Sequence, residues 1–194
     1  MDKKETILEN ASVVFRKYGY QKAKLDDIAN ECGMNKAGLY YYFKNKEDLF
    51  MAMLKRDIES VNNRLRSTLS GSAAPAAAIR EFLIIRTKSY VLMKDYLEMF
   101  IGGVTPPRLR DSARASKNRM IQEEINLVAG FIEVHHTGPD LSKVDIRGIV
   151  LILLGLSDKI GTMSLVDELK VDIEETIDLA LSLLLNHLPI NFKE

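Results

Sequence analysis

The sequence has a single cysteine, Cys32, so an internal disulfide is impossible. This usage is typical of a reducing compartment, and the helical spacing of Cys32 from Ile28 and Ala29 predicts a small core residue. The N-terminus lacks the apolar segment of a signal peptide. The longest strongly apolar run, 148–156, is far too short to cross a bilayer. We therefore expect a cytoplasmic protein with no membrane partner.

Excess charge is missing as well, because 27 lysines and arginines balance 27 aspartates and glutamates. A strongly basic total would have favoured nucleic-acid binding, so its absence counts mildly against that function. The local balance is different. Residues 22–46 contain five lysines and three acids, and all three acids lie between 26 and 31.

Catalytic and metal-binding motifs are absent. The sequence contains no Gly-x-Ser-x-Gly, no His-Glu-x-x-His and no glycine-rich phosphate loop. The adjacent His135 and His136 would point about 100° apart on a helix and cannot chelate one ion together, so we expect them at a frayed helix end. We expect no enzymatic activity, no cofactor and no metal site.

Strand signals are also absent, since no segment alternates apolar and polar residues and hairpin dipeptides such as Asn-Gly are missing. Apolar residues recur instead at helical spacing along the chain. The sequence therefore predicts an all-α protein with about nine helices.

Residues 25–50 predict two short helices, a tight turn and the start of a third helix. Gly33 suits the left-handed conformation that ends a helix. Asn35 and Asn45 are suited to cap the following helices, and Asp48 completes a pattern close to a capping box. A helix of about two turns at 36–43 follows the first cap.

This second short helix predicts a DNA-reading element. Leu39 and Phe43 lie on one face and should anchor it, whereas Ala37 and Tyr41 point away from the core. Small residues let the backbone approach base edges, and tyrosine hydroxyls and lysines can bind phosphates. Packing alone explains such an outer face poorly.

The stretch resembles the DNA-binding domain of the tetracycline-repressor (TetR) family of bacterial transcription regulators. The resemblance covers about 3–61. It is carried by Asp27, Ile28, Ala29, Gly33, Lys36, Leu39, Tyr40, Tyr41, Phe43, Lys46, Glu47 and Leu49. The resemblance implies a three-helix helix-turn-helix head, which we place at 1–46.

Ten residues of this head are predicted to form the DNA-binding site. Lys36, Lys46 and Tyr42 are assigned to phosphates, with Lys24 as a weaker candidate, and Ala37, Gly38 and Tyr41 to the groove. Asn35, Tyr40 and Lys44 complete the set. Gly38 stands where the family usually has a hydroxyl, which predicts weak base specificity at that position.

The remaining chain, 47–194, predicts a helical effector-binding and dimerisation domain. An apolar seam runs along the fourth helix, 46–70, which should link the two domains, and Pro75 is placed to begin the next helix. Wide apolar faces with few candidate buried charges favour an apolar or amphipathic small-molecule effector. The expected pocket is lined by Tyr90, Met93, Leu97, Phe100, Met120, Leu127 and Phe131.

The last two long helices, 146–163 and 173–188, are apolar on almost all sides and should each pack on the core and on a second copy. The expected dimer interface contains Gly148, Ile152, Gly155, Leu179 and Leu183, and Leu154 and Leu184 are candidates to face the partner. The resemblance likewise implies a four-helix dimer interface.

Together these patterns predict a homodimeric regulator that binds a near-palindromic double-stranded operator. We expect a repressor released when the effector moves the fourth helix. An activator of the same family and a helical scaffold without DNA binding are the alternatives. A scaffold would leave the tyrosine-lysine helix unexplained.

Overall fold

The computed structural model describes residues 2–70, 74–92, 107–138, 140–165, 169–185 and 190–192. Within these ranges it has eight α-helices, one 3-10 helix at Leu141–Lys143 and no β-strand, which confirms the all-α class. The helices are α1 (Lys3–Lys22), α2 (Leu25–Glu31), α3 (Lys36–Tyr42), α4 (Lys46–Ser70), α5 (Pro75–Leu92), α6 (Pro107–His135), α7 (Ile146–Met163) and α8 (Ile173–Leu185). None of these helices is long and apolar enough to cross a membrane.

The described chain divides into two units, each with its own buried core. The first contains 2–60 and 107–115, and the second contains the other described residues from 61 onward. α4 and α6 contribute residues to both units.

In the first unit, α1 changes direction at Gly19, where φ is 71° and ψ is 162°. A left-handed φ suits glycine, and helical hydrogen bonding resumes after it as far as Lys22. Phe15, Tyr20 and Phe50 pack as an aromatic cluster, with Phe50 5.0 Å from each of the other two ring centroids. This cluster joins α1 to α4.

Lys46, the first residue of α4, holds the C-terminal end of α1. Its ammonium donates hydrogen bonds to the carbonyls of Tyr20 at 2.7 Å, Ala23 at 3.1 Å and Gln21 at 3.3 Å. The same ammonium lies 4.6 Å from the Tyr20 ring centroid, within cation–π range. Partial burial lowers the pKa of Lys46. Lys46 was predicted to bind phosphate, but its ammonium is occupied by these carbonyls, so we assign it a structural role.

The core of the second unit contains a charged cluster that joins three helices. Arg86 of α5 donates to the Glu124 carboxylate of α6 at 2.9 Å. It also donates to the Asp158 carboxylate and the Leu154 carbonyl of α7, at 2.9 Å and 3.0 Å. Arg86 and Glu124 are only 5% and 4% exposed. Arg86 and Glu124 are the two buried charged side chains among the described residues of this domain, which was expected to carry few.

The electrostatics of this cluster are set by burial. Two carboxylates face one guanidinium, and burial raises the pKa of Glu124 although Arg86 opposes the shift. Next to the cluster, the hydroxyls of Thr87 and Ser157 are 2.7 Å apart and share a hydrogen bond. The polar groups of this cluster and of the Thr87–Ser157 pair are thus hydrogen-bonded, as buried polar groups usually are.

α6 ends at His135, and His136 pairs with the C-terminal segment rather than fraying. The backbone N–H of Asn191 donates to Nδ1 of His136 at 3.1 Å, and Thr137 N–H donates to the Asn191 carbonyl at 2.9 Å. Ile190 is buried in the core of the second unit. The predicted frayed end is therefore wrong, because the distant C-terminal residues order it.

Replacing Arg86 with Met should destabilise the protein by about 3–5 kcal/mol, because it leaves two carboxylates without their cation. The matched control is Arg80→Met on the same helix. Arg80 pairs with Asp178 at the surface, where solvent screens the pair, so its removal should destabilise the protein far less. Urea unfolding followed by circular dichroism measures both, and equal effects would contradict the structural role of the buried cluster.

Replacing Lys46 with Met should destabilise the first unit by about 1–3 kcal/mol, because the carbonyls at the end of α1 are left without a charged donor. Lys44→Met is the control, since the Lys44 side chain is exposed. Hydrogen exchange of the α1 amides should accelerate only in the first variant. Unchanged exchange at 20–23 would show that the three carbonyls do not need Lys46.

Candidate functional site

The turn between α2 and α3 fixes the position of α3. Gly33 has a φ of 62°, and its N–H donates to the Asn30 carbonyl at 3.0 Å. The Asn35 side chain then accepts the Gly38 N–H at 2.8 Å, which confirms its predicted capping role. Leu39 is 1% exposed and Phe43, which caps the C-terminal end, is 3% exposed. Leu39 in the middle of α3 and Phe43 at its C-terminal end are thus buried, and the opposite side of the helix is exposed.

The outward side of α3 presents polar and small residues. Tyr41 is 84% exposed and Tyr40 is 48% exposed, and Lys36 and Ala37 are also exposed. Gly38 is half-buried, and a Cβ there would meet the Asn35 side chain at an acceptable 3.4 Å. This outward side suits the major groove of a duplex, which admits an α-helix.

Tyr42 differs from its two neighbours. Its ring is half-buried, packs against the core of the first unit, and meets the Tyr41 ring edge-on at 5.1 Å. This position still leaves part of the ring accessible, so its phosphate contact stays a prediction.

The lysines near α3 have different environments. Lys36 forms an ion pair with Asp26 of α2 at 2.8 Å, and the hydrogen bond that its ammonium donates to the Asp26 carboxylate raises the pKa of Lys36. Lys24 and Lys44 are exposed. The backbone N–H of Lys24 donates to the Asp27 carboxylate at 3.3 Å, and that of Lys44 donates to the Asp48 carboxylate at 3.0 Å. Sequence reasoning located the lysines but missed the partners of Lys36 and Lys46, since contacts between separate helices leave no local signal.

The second unit presents an exposed apolar surface on α7 and α8, two helices that pack against each other. This surface, the α7–α8 face, consists of Leu151, Ile152, Leu156, Leu179 and Leu183. Ile152, Leu179 and Leu183 are 55%, 60% and 57% exposed. Three residues predicted for the dimer interface are therefore exposed apolar side chains on these two helices.

The two predicted interface glycines and Leu154 have individual environments. A Cβ on Gly155 would meet nothing within 4 Å, which leaves room for a close helix. The backbone N–H of Gly148 donates to the Asp145 carboxylate at the start of α7. A Cβ at position 148 would clash with that carboxylate, so the cap itself favours glycine here. Leu154 is 2% exposed in the core of its own chain, so it cannot face a partner, and the side chain of Leu184 lies outside the described residues.

The predicted effector pocket is only partly within the described residues. Met93, Leu97 and Phe100 lie outside them, and Tyr90 belongs to α5. Met120, Leu127 and Phe131 are half-buried on α6, and the last two pack against the core. The location of the pocket stays a prediction.

One small cavity in the second unit has room for about a single water molecule. It is lined by Leu83, Leu153, Leu156, Ser157, Ile160, Ile177 and Ala180. None of these belongs to the predicted pocket. Within the described ranges, no group of three or more His, Cys, Asp or Glu side chains could hold a metal ion.

Comparison with known proteins connects this geometry to characterised relatives. The model for the tetR family of bacterial regulatory proteins matches residues 7–53. The chain is 29% identical over 145 residues to the HTH-type transcriptional regulator RutR of Escherichia coli K12, which is 71% of this chain and 65% of RutR. The chain thus spans slightly less than two thirds of that relative.

A second relative is IcaR of Staphylococcus aureus Newman, a negative transcriptional regulator of the biofilm operon icaADBC. It is 24% identical over 152 residues, which is 78% of this chain and 80% of IcaR. The crystal structure of FadR from Bacillus subtilis in complex with stearoyl-CoA has the same fold. Its TM-score is 0.64 at 19% identity, and the alignment covers 95% of this chain and 98% of FadR.

The matched residues 7–53 include α2, the Gly33 turn and α3, which are the elements that build the outward tyrosine-lysine side. Residues 7–53 thus match the tetR family of bacterial regulatory proteins, and the longer alignments show similarity to two transcriptional regulators.

Proposed function

We propose that this protein is a DNA-binding transcriptional regulator whose α3 enters the major groove. The observation that carries the proposal is the division of α3 into a buried side at Leu39 and an outward side at Lys36, Ala37 and Tyr41. A helix that served only to pack would not need an 84% exposed tyrosine opposite its anchor. RutR and IcaR are both named as helix-turn-helix regulators, which supports this function.

The residues of the head divide into two roles. Lys36, with Lys24 and Lys44, supplies cations to phosphates, because these side chains are exposed at the ends of α3 and at the start of α2. Ala37, Gly38 and Tyr41 read the groove, where an alanine methyl can touch a thymine methyl. Asn35, Tyr40 and Tyr42 lie at the edge of this surface. Lys46 supports the head from within.

The functional unit is a homodimer formed through the α7–α8 face. Its five large apolar side chains lie on two adjacent helices, and an apolar patch of this kind typically marks an interface. A second copy is the occupant we propose, because the same patch on both subunits is self-complementary about a two-fold axis. Two heads then bind two half-sites of a near-palindrome.

The chain divides functionally into a DNA-binding domain at 1–46 and an effector-binding and dimerisation domain at 47–194. A small apolar or amphipathic molecule binds the second domain and releases the repressor from DNA. The stearoyl-CoA complex of FadR and the negative regulation by IcaR support this mechanism by analogy. The effector needs different affinities for the two states of the protein, since otherwise it shifts no equilibrium.

DNA binding is tested on duplexes selected from a random library, with affinity measured at several salt concentrations. Lys36→Ala should weaken binding on all sequences alike and reduce the salt slope by about one, because one phosphate is no longer neutralised. Lys55→Ala is the control, because Lys55 is an exposed lysine of the first unit on α4. Tyr41→Ala should instead change which sites are selected. Failure of the unmodified protein to bind any duplex, or equal slopes for the two lysine variants, would contradict the proposal.

Dimerisation is tested by light scattering at micromolar concentration. Leu183→Asp should produce a folded monomer, because the side chain is 57% exposed and its charge would lie in the interface. Glu175→Gln is the control on α8, since Glu175 is exposed and polar. Leu154→Asp should unfold the chain rather than dissociate it. An unmodified protein that is already monomeric would eliminate the dimer and the two-half-site mechanism.

A further inference from the structure

Asp26 lies on the surface that we propose for DNA, although it carries a negative charge. It is the second residue of α2, and its carboxylate accepts a hydrogen bond from the Lys36 ammonium at 2.8 Å. The side chains of Lys36 and Asp26 are 46% and 57% exposed. The lysine best placed for a phosphate is therefore already paired with an anion in the free protein.

The fold does not require this carboxylate. The neighbouring Asp27, not Asp26, accepts the Lys24 N–H at the start of α2. Both acids interact favourably with the helix dipole, so Asp27 retains that contribution when Asp26 is changed. An exposed ion pair contributes little to stability, because solvent screens it. Stability therefore does not explain why an acid stands beside Lys36.

We propose that Asp26 competes with DNA phosphates for Lys36 and so lowers the affinity of the head for duplex DNA. This inference rests on the proposed function. When the head meets DNA, the Lys36 ammonium either leaves Asp26 or contacts two anions at once. The first costs the ion pair, and the second places a carboxylate near a phosphate.

The cost of this competition is the same for every base sequence, since phosphates carry no sequence information. It therefore weakens non-specific binding, which comes almost entirely from phosphate contacts. Specific binding retains its groove contacts from Ala37 and Tyr41. Asp26 consequently acts through Lys36 as a competing anion, and it lowers the affinity for unrelated DNA and for a specific site by the same factor.

The test is a double-mutant cycle on one duplex obtained by selection and one unrelated duplex. Asp26→Asn keeps the shape of the side chain and removes its charge. It should tighten binding to both duplexes by about two- to fivefold at low salt, the range expected for release of one exposed ion pair. The gain should shrink as salt rises. Asp26→Glu should retain the original affinity.

Two controls separate competition from a general charge effect. Glu31→Gln removes one negative charge from the exposed end of the same helix and should tighten binding less than Asp26→Asn. In a Lys36→Ala background, Asp26→Asn should tighten binding no more than Glu31→Gln does. Thermal midpoints of all variants show whether each remains folded.

The outcomes distinguish this inference from the proposed function. Duplex binding by the unmodified protein with unchanged or weaker binding by Asp26→Asn would overturn the inference alone, and weaker binding would mean that Asp26 holds Lys36 in place for DNA. An equal gain with and without Lys36 would also overturn it. No duplex binding by any variant would overturn both.

Discussion

The head depends on one constraint: α3 has only seven residues, Lys36–Tyr42, and so cannot be stable alone. Isolated helices shorter than about 12–15 residues are marginal in water. Burial of Leu39, the Asn35 cap and the left-handed turn at Gly33 supply what helix propensity cannot. These three local features also determine which side of α3 faces outward. The exposed side of α3 is consequently determined by the contacts that anchor the helix.

Cations in this protein are used in two ways, and burial decides between them. Arg86 is buried and Lys46 is half-buried, and their acceptors are two carboxylates and three backbone carbonyls respectively. The side chains of Lys24 and Lys44 are exposed to solvent and can therefore bind a phosphate. A buried cation fixes helices relative to one another within its unit, whereas an exposed one is available to a ligand. Counting lysines in a sequence cannot separate these uses.

Local signals were sufficient for much of the fold. Periodicity and caps predicted 46–70 and 146–163, which are the bounds of α4 and α7, and they predicted the Asn35 cap and the Gly33 turn. Contacts between residues far apart in sequence were not predictable in this way. Arg86 and Glu124 are 38 residues apart, and each simply interrupts an apolar stripe. Because α7 is apolar on almost all sides, its sequence did not show which side faces the core. The buried Leu154 therefore could not be distinguished from the exposed Ile152 before the packing was known.

The proposed DNA surface and the proposed dimer explain each other. Of the five lysines in residues 22–46, Lys46 is held by carbonyls and Lys36 by Asp26, so one head has few cations ready for phosphates. Because affinity for the duplex backbone grows with each phosphate neutralised, such a head binds weakly alone. Joining two heads makes the second binding event intramolecular and raises the overall affinity without new contacts. Heads that each bind DNA weakly thus favour sites at which both heads of a dimer bind. The α7–α8 face supplies the apolar surface that can join the two subunits.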